Sequence, residues 1–336
     1  MHTLLLDSDD VRANALMPAL IDAVEAAFGA YERGTARMPP KSYINLPQYD
    51  GDFRAMPAYL SVDGDAGESW DAAGLKWVNS HPNNPTDHDL PTVMGTMCYS
   101  DPETGFPLAI MDGTALTTLR TGAAAAVATD HLAIAGATSL GIIGAGVQSY
   151  TQLEAIAAVR PIETVVVADR DAERVAAFLE HFAGRFDVRG GSIGEAAACD
   201  VLSTVTPVDD PIVERRDVGE HTHINAMGAD AAGKHELHDE ILLDANLVID
   251  DYAQTTHSGE INVPYAAGTL TDGDIDAELG EIVGGEKPGR TSSEGISVFD
   301  STGLAIQDVA AAHAVYTAAT GGDDGTPFDL LGLADR

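Results

Sequence analysis

Lysine is nearly absent from this chain: four residues, Lys41, Lys76, Lys234 and Lys287, in a length of 336. All basic residues together number 18 against 53 acids, a formal net charge of −35. A surface of that sign repels nucleic acid and anionic membranes, which excludes both as partners. Cysteine is equally scarce. Cys98 and Cys199 lie far apart without partner spacing, which argues against a disulfide framework and for a cytoplasmic protein with free thiols. No apolar run is long enough to cross a bilayer, and the N-terminal MHTLLLDSDD lacks the charged-then-apolar pattern of a signal segment. The histidines form no metal set: His221 and His223 alternate on a strand, His235 and His238 stand three apart, and no cysteine or carboxylate spacing supports zinc. No strand–G-x-S-x-G–helix elbow is present, which excludes that type of serine hydrolase. The acids are spread through helices and turns rather than gathered in a tail. That distribution is expected of a salt-adapted protein, the alternative being a merely acidic mesophilic one.

What the sequence does have is one organised stretch, Thr138 to Arg170. An apolar run, Ser139 to Ile143, leads into Gly144-Ala145-Gly146-Val147-Gln148-Ser149, then a helix-period segment with Leu153, Ile156 and Ala157 on one face. A second apolar run, Thr164 to Ala168, ends at Asp169, about twenty residues past the turn, as the dinucleotide fingerprint requires. Gly144 permits a tight turn, and Gly146 leaves room for a pyrophosphate at a helix N-terminus. Ser149 stands where the pattern usually has Gly or Ala. Asp169 is placed for ribose hydroxyls and repels a 2′-phosphate, so NAD is expected over NADP; Arg170 beside it weakens that preference.

Around this core the chain alternates. Strands are expected at 139–143, 164–168, 201–205, 222–227, 247–250 and 296–300, with helices or loops between most of them, which implies a parallel doubly wound sheet. The leading part reads as a strand 2–6, a turn capped by Asp7, a helix 15–33 with Leu16, Leu20, Val24, Ala27 and Phe28 on its apolar face, and strands 41–46, 53–60 and 73–79. An acidic loop is expected over 61–71, a polar loop over 80–90 and a hairpin of 92–99 with 107–111. Helices are expected at 117–132, bridging to the nucleotide domain, and at 303–319, returning to the first domain. A loosely packed tail is expected over 321–336.

Three residues of this frame are candidates for chemistry. Lys76, in Gly74-Leu75-Lys76-Trp77-Val78, is either a buried amine whose pKa falls into the acid–base range or a strand-edge lysine whose head reaches water. Arg120, in an otherwise apolar helix, suits capture of a substrate carboxylate or is an ordinary surface or capping arginine. Asp230 follows a predicted strand whose end faces the ligand crevice, where it can exchange a proton, orient water or bind an amine, or cap a helix around Lys234 to Ile241.

At these residues the sequence resembles the ornithine cyclodeaminase/μ-crystallin family, in its archaeal alanine dehydrogenase branch. The matching stretches are MPAYL (56–60), GLKWVNSHPNNP (74–85), LPTVMGT (90–96), FPLAIMDGTALTTLRTGAAAAVA (106–128), GIIGAGVQ (141–148), HINAMGADAAGKHEL (223–237), SGEINVP (258–264) and VFDSTGLAIQDVA (298–310). The resemblance implies an α/β protein of two domains. A Rossmann domain binding NAD(P), expected at 119–301, interrupts a substrate-binding and dimerising domain built from both termini, 1–118 with 302–336. It implies a homodimer. It assigns carboxylate binding and proton transfer to Lys76, Arg120 and Asp230, with Lys41 and Arg54 as further substrate contacts. Thr92, Gln148, Asp169, Lys234 and Ser301 are its implied cofactor contacts, joining Gly144, Gly146, Val147 and Arg170 of the fingerprint and Thr206 at a strand end. Where the family often has P-x-R, this chain has Pro39-Pro40-Lys41. Where ornithine cyclodeaminases tend to show G-D-C-P-G-K, it has Gly228-Ala229-Asp230-Ala231-Ala232-Gly233-Lys234, closer to the dehydrogenase form. The implied activity is NAD-dependent oxidative deamination of a small L-amino acid, L-alanine first. Ornithine cyclodeamination, cyclic imino-acid reduction and a non-catalytic crystallin-like nucleotide binder are the alternatives.

Overall fold

The computed structural model describes residues 2–63, 69–322 and 324–333. The chain forms two compact units, Met1–Arg120 with Leu304–Arg336, and Thr121–Gly303.

The first unit is a mixed sheet covered by helices. Its strands are β1 (Thr3–Leu6), β2 (Ala36–Arg37), β3 (Ser42–Leu46), β4 (Gly51–Val62), β5 (Trp70–Ser80), β6 (Val93–Ser100) and β7 (Pro107–Asp112). They lie in the order β1-β7-β6-β5-β4-β2, with β3 paired to β4. A last strand, Thr326–Phe328, pairs antiparallel with β1, so the expected loose tail is in part sheet. β4 and β5 pair as far as Val62 and Trp70. The acidic loop is therefore shorter than the 61–71 expected, and its residues 64–68 lie outside the described residues.

The helix Met17–Glu32 forms because Leu20, Val24, Ala27 and Phe28 recur at helical spacing and are all fully buried. Pro18 suits its first turn, and Gly34 ends it at φ +72°. Leu16 precedes the helix and is exposed, contrary to its expected place on the apolar face. The turn expected at Asp7 is instead the start of a helix, Ser8–Asn14, with Asp7 and Asp10 in a capping box. The helix Ala305–Gly322 belongs to this unit, and its residues 305–312 are buried all round.

The second unit is a doubly wound Rossmann sheet of eight parallel strands. These are β8 (Ser139–Ile143), β9 (Thr164–Ala168), β10 (Asp187–Gly190), β11 (Val201–Thr204), β12 (His223–Ala226), β13 (Asn246–Ile249), β14 (Ala277–Glu278) and β15 (Ser297–Asp300), in the order β10-β9-β8-β11-β12-β15-β13-β14. The order reverses at β8, which puts the ligand crevice of such sheets at its C-terminal end, beside the glycine turn. Leu140, Ile142, Val165 and Val167 face one layer of helices with Leu153, Ile156, Phe178 and Phe182. Ile143, Val166, Leu202 and Ile224 face the other. The helix Gly113–Leu132 starts in the first unit and ends in the second, with the boundary after Arg120.

Candidate active site

Lys76 sits in the middle of β5 and is 1% exposed, which removes the strand-edge reading. Its apolar sequence neighbours are not what buries it. Leu75 and Trp77 point to the other face of the sheet, where both are exposed. Lys76 instead lies between its ladder partners Met56 on β4 and Met97 on β6, both buried. Its Nζ is 2.8 and 2.7 Å from the two carboxylate oxygens of Asp308, on the helix Ala305–Gly322, and donates to Thr117 Oγ1 at 3.2 Å. Arg120 is buried beside it. Its Nε donates to Asp308 Oδ1 at 3.0 Å and its Nη1 to Gln307 Oε1 at 3.0 Å. One carboxylate thus serves two cations. Burial drives the Lys76 pKa down, against the pull of Asp308 and with the push of Arg120 and Lys41, to about 7. An amine so poised can take up or release a proton near neutral pH.

Lys41 lies close enough to repel Lys76. Arg54 shares the inner face of β4 with Met56, but it grips Asp52 at 2.9 and 3.1 Å and lies over the Tyr43 ring. Thr92 precedes β6 in this first unit, its carbonyl accepting from the His81 amide at 2.8 Å. Asp308 and Gln307 went unmarked in the sequence. Their signal is a carboxylate and an amide in the otherwise apolar run Leu304–Ala312.

In the second unit, Gly144 takes φ +102°, and a Cβ there would meet the Val205 carbonyl oxygen at 2.9 Å. Nothing lies within 4 Å of the place a Gly146 Cβ would occupy. Gly146 caps the helix Val147–Val159 without a side-chain hydrogen bond, so the first amides stay available to an anion. Val147 is exposed, and Gln148 has a buried Oε1 without a hydrogen-bond partner among the described residues. This cradle fits a dinucleotide pyrophosphate. Asp169 ends β9 and accepts from the Ala145 amide at 2.7 Å and the Asp171 amide at 2.8 Å, tying the acid to the turn. Arg170 beside it is exposed.

Asp230 lies in the loop after β12. The helix that follows in the chain is Asp239–Asp244, whose N-cap position is His238, so Asp230 does not cap it. It pairs instead with Lys234 Nζ at 2.5 Å. Behind this loop runs a line of buried acids. Glu236 accepts from the Thr206 amide and hydroxyl at 2.8 and 2.7 Å and from the Gly228 amide at 3.0 Å, joining the ends of β11 and β12. Glu260 accepts from the amides of Glu236 and Leu237, and Asp300 from those of Glu260 and Ile261. Burial raises the pKa of all three, of Glu260 and Asp300 well above the carboxylate range. Ser301 is buried and donates to Asp250 at 3.0 Å. Among the described residues no cluster of three or more His, Cys, Asp or Glu has a metal-holding arrangement, and no helix is long and apolar enough to cross a membrane.

Comparison with known proteins bears on this geometry. The chain is 47% identical over 319 residues to the alanine dehydrogenase of Archaeoglobus fulgidus, covering 94% of this chain and 95% of that one. It is similar in structure to an archaeal alanine dehydrogenase dimer with bound NAD, with a TM-score of 0.91 at 46% identity over 98% of this chain and 100% of the other. It also resembles Thermococcus litoralis Δ1-pyrroline-2-carboxylate reductase in complex with NADH and L-proline, with a TM-score of 0.90 at 36% identity over 96% and 99% of the two chains. The model of the ornithine cyclodeaminase/mu-crystallin family matches residues 1–323, and with a buried Lys76–Asp308–Arg120 array in one unit and a dinucleotide turn in the other, the chain belongs to that family.

Proposed function

We propose that this protein is an NAD-dependent dehydrogenase that oxidatively deaminates a small L-amino acid, converting L-alanine reversibly to pyruvate and ammonia. The observation that carries the reading is the buried Lys76, tuned to about 7 beside Arg120. Identity to the Archaeoglobus fulgidus enzyme supports the choice of alanine. Gly144, Gly146, Val147, Gln148 and Asp169 would hold NAD, which would supply a hydride acceptor for the substrate Cα. Thr92, Arg170, Thr206, Lys234 and Ser301 complete its proposed surroundings. Arg120 and Lys76, with Lys41 and Arg54, hold the substrate carboxylate. Neutral Lys76 accepts a proton as the amine becomes an imine, and Asp230 assists water attack and loss of ammonia.

A second reading keeps the imine in the site, as cyclodeaminases or cyclic imino-acid reductases do; the likeness to the Thermococcus litoralis reductase favours it. One assay separates the readings. In molar KCl with NAD, L-alanine should yield NADH and pyruvate in equal amounts. Proline from ornithine without net NADH would establish the second reading, and NADH binding without turnover of any oxo or imino acid a non-catalytic role.

We read the protein further as a cytoplasmic, salt-adapted homodimer. Free thiols and the acidic surface support the first two. The outer face of the first unit's sheet supports the third: Ile44, Leu75 and Trp77 are exposed there, with Phe53 stacked on Trp77 at 5.2 Å. A Trp77→Glu chain should run as a monomer in light scattering where the wild type runs as a dimer. A dimeric Trp77→Glu chain would move the interface elsewhere.

A further inference from the structure

We propose that Asp308 is a positioning residue of this reaction, whose buried carboxylate holds the Lys76 ammonium and the Arg120 guanidinium in one array and sets how readily Lys76 gives up its proton. The inference rests on the reading above, in which Lys76 carries the proton.

The geometry leaves Asp308 little other purpose. It is completely buried in a helix segment that is otherwise apolar except for Gln307, where a carboxylate without partners would cost several kcal/mol. Both its oxygens lie within 2.8 Å of Lys76 Nζ, and Oδ1 also accepts from Arg120 Nε at 3.0 Å. Gln307, one residue earlier, fixes the other end of the guanidinium at 3.0 Å and accepts from the Leu304 amide at 3.2 Å, so the helix start and the array are one network. Thr117 accepts from Lys76 while donating to the Gly113 carbonyl at 2.6 Å. The charged groups facing Lys76 are Asp308 from the helix Ala305–Gly322, Arg120 from the helix Gly113–Leu132, and Lys41 from the segment before β3. Asp308 alone among them favours the ammonium. It opposes burial and two cations, and brings Lys76 to rest at about 7 rather than lower. When Lys76 deprotonates during turnover, Asp308 keeps its charge balanced by Arg120, so the proton can return without either side chain moving.

The test uses the scarcity of lysine. Competitive acetylation with acetic anhydride across pH, read by peptide mass, titrates Lys76 directly in the full-length protein at molar KCl. Asp308→Asn keeps the volume and removes the charge. Lys76 should then titrate at least about one pH unit lower, a tenfold gain in the ratio of neutral to charged form at fixed pH. The acid limb of the kcat profile should move down with it, while NADH affinity stays within about twofold of the wild type. Asp308→Glu should restore the titration toward the wild-type value. An unshifted Lys76 in Asp308→Asn that still binds NADH would overturn the proposal. If that variant does not fold, Arg120→Gln carries the test. Freed from its rival, Asp308 should raise the Lys76 titration, and a fall would overturn the proposal. A Lys76→Ala chain with wild-type turnover would instead remove the underlying reading, whatever the titrations give.

Discussion

At the scale of single residues, the proposed chemistry turns on a lysine that is buried, paired and left titratable near neutrality. Lys76→Ala should lose nearly all turnover while NADH affinity changes by less than tenfold, about 1.4 kcal/mol, in a fluorescence titration. Asp230→Ala should behave likewise, since it removes the group proposed to assist water attack and takes away the ion-pair partner of Lys234 without touching the glycine turn. Wild-type turnover in either variant would strike that residue from the mechanism. Lysine is so rare in this chain that Lys76 stands out in its apolar run, yet Leu75 and Trp77, its neighbours in sequence, are not what buries it. Leu75 and Trp77 line the exposed face, and Met56, Met97 and the Asp308 helix do the burying. Which face of a strand is inner follows from the sheet's partners, and these lie far away in sequence. Asp308 is not legible because the apolar residues around it, Leu304, Ile306, Val309, Ala312 and Val315, mark the helix without it. Its partners, Lys76 and Arg120, stand 232 and 188 residues away.

At the scale of elements, the glycine turn makes two separable predictions. Gly144→Ala must place an L side chain at φ +102° with its Cβ 2.9 Å from the Val205 carbonyl. It should destabilise the apoprotein by about 1–3 kcal/mol in a denaturant titration. Gly146→Ala meets nothing within 4 Å, so apoprotein stability should hold while NADH binding weakens at least tenfold. Equal stability losses in the two variants would contradict the division of labour between them. This part of the fold was plainly legible. β8 and β9 lie on the expected residues because a strand buried on both faces is a short unbroken apolar run. β10 (DVRG) and the two-residue β14 were not, since short strands near a sheet's edge carry little apolar pattern. The polar helix Ser8–Asn14 escaped for the same reason, although its capping box was present in the letters. Strand Thr326–Phe328 forms by pairing with β1, and nothing local announces it.

At the scale of the whole molecule, charge dominates. A net −35 spread over 336 residues generates self-repulsion that salt screens over about 10 Å at 0.1 M and about 3 Å at 1 M. Thermal unfolding should therefore move up steadily as KCl rises into the molar range, and a Tm indifferent to KCl would favour the merely acidic alternative. The same conditions suit the decisive measurement on Lys76, the pH dependence of kcat for L-alanine oxidation in molar KCl. Burial has lowered Lys76 to about 7, and the proposed oxidation requires its neutral form. With substrate bound, kcat should accordingly climb as pH rises through that value and level off above it. A kcat that is flat from about pH 6 to about pH 9, or one that falls across that range, would contradict the assignment of Lys76 as the proton carrier.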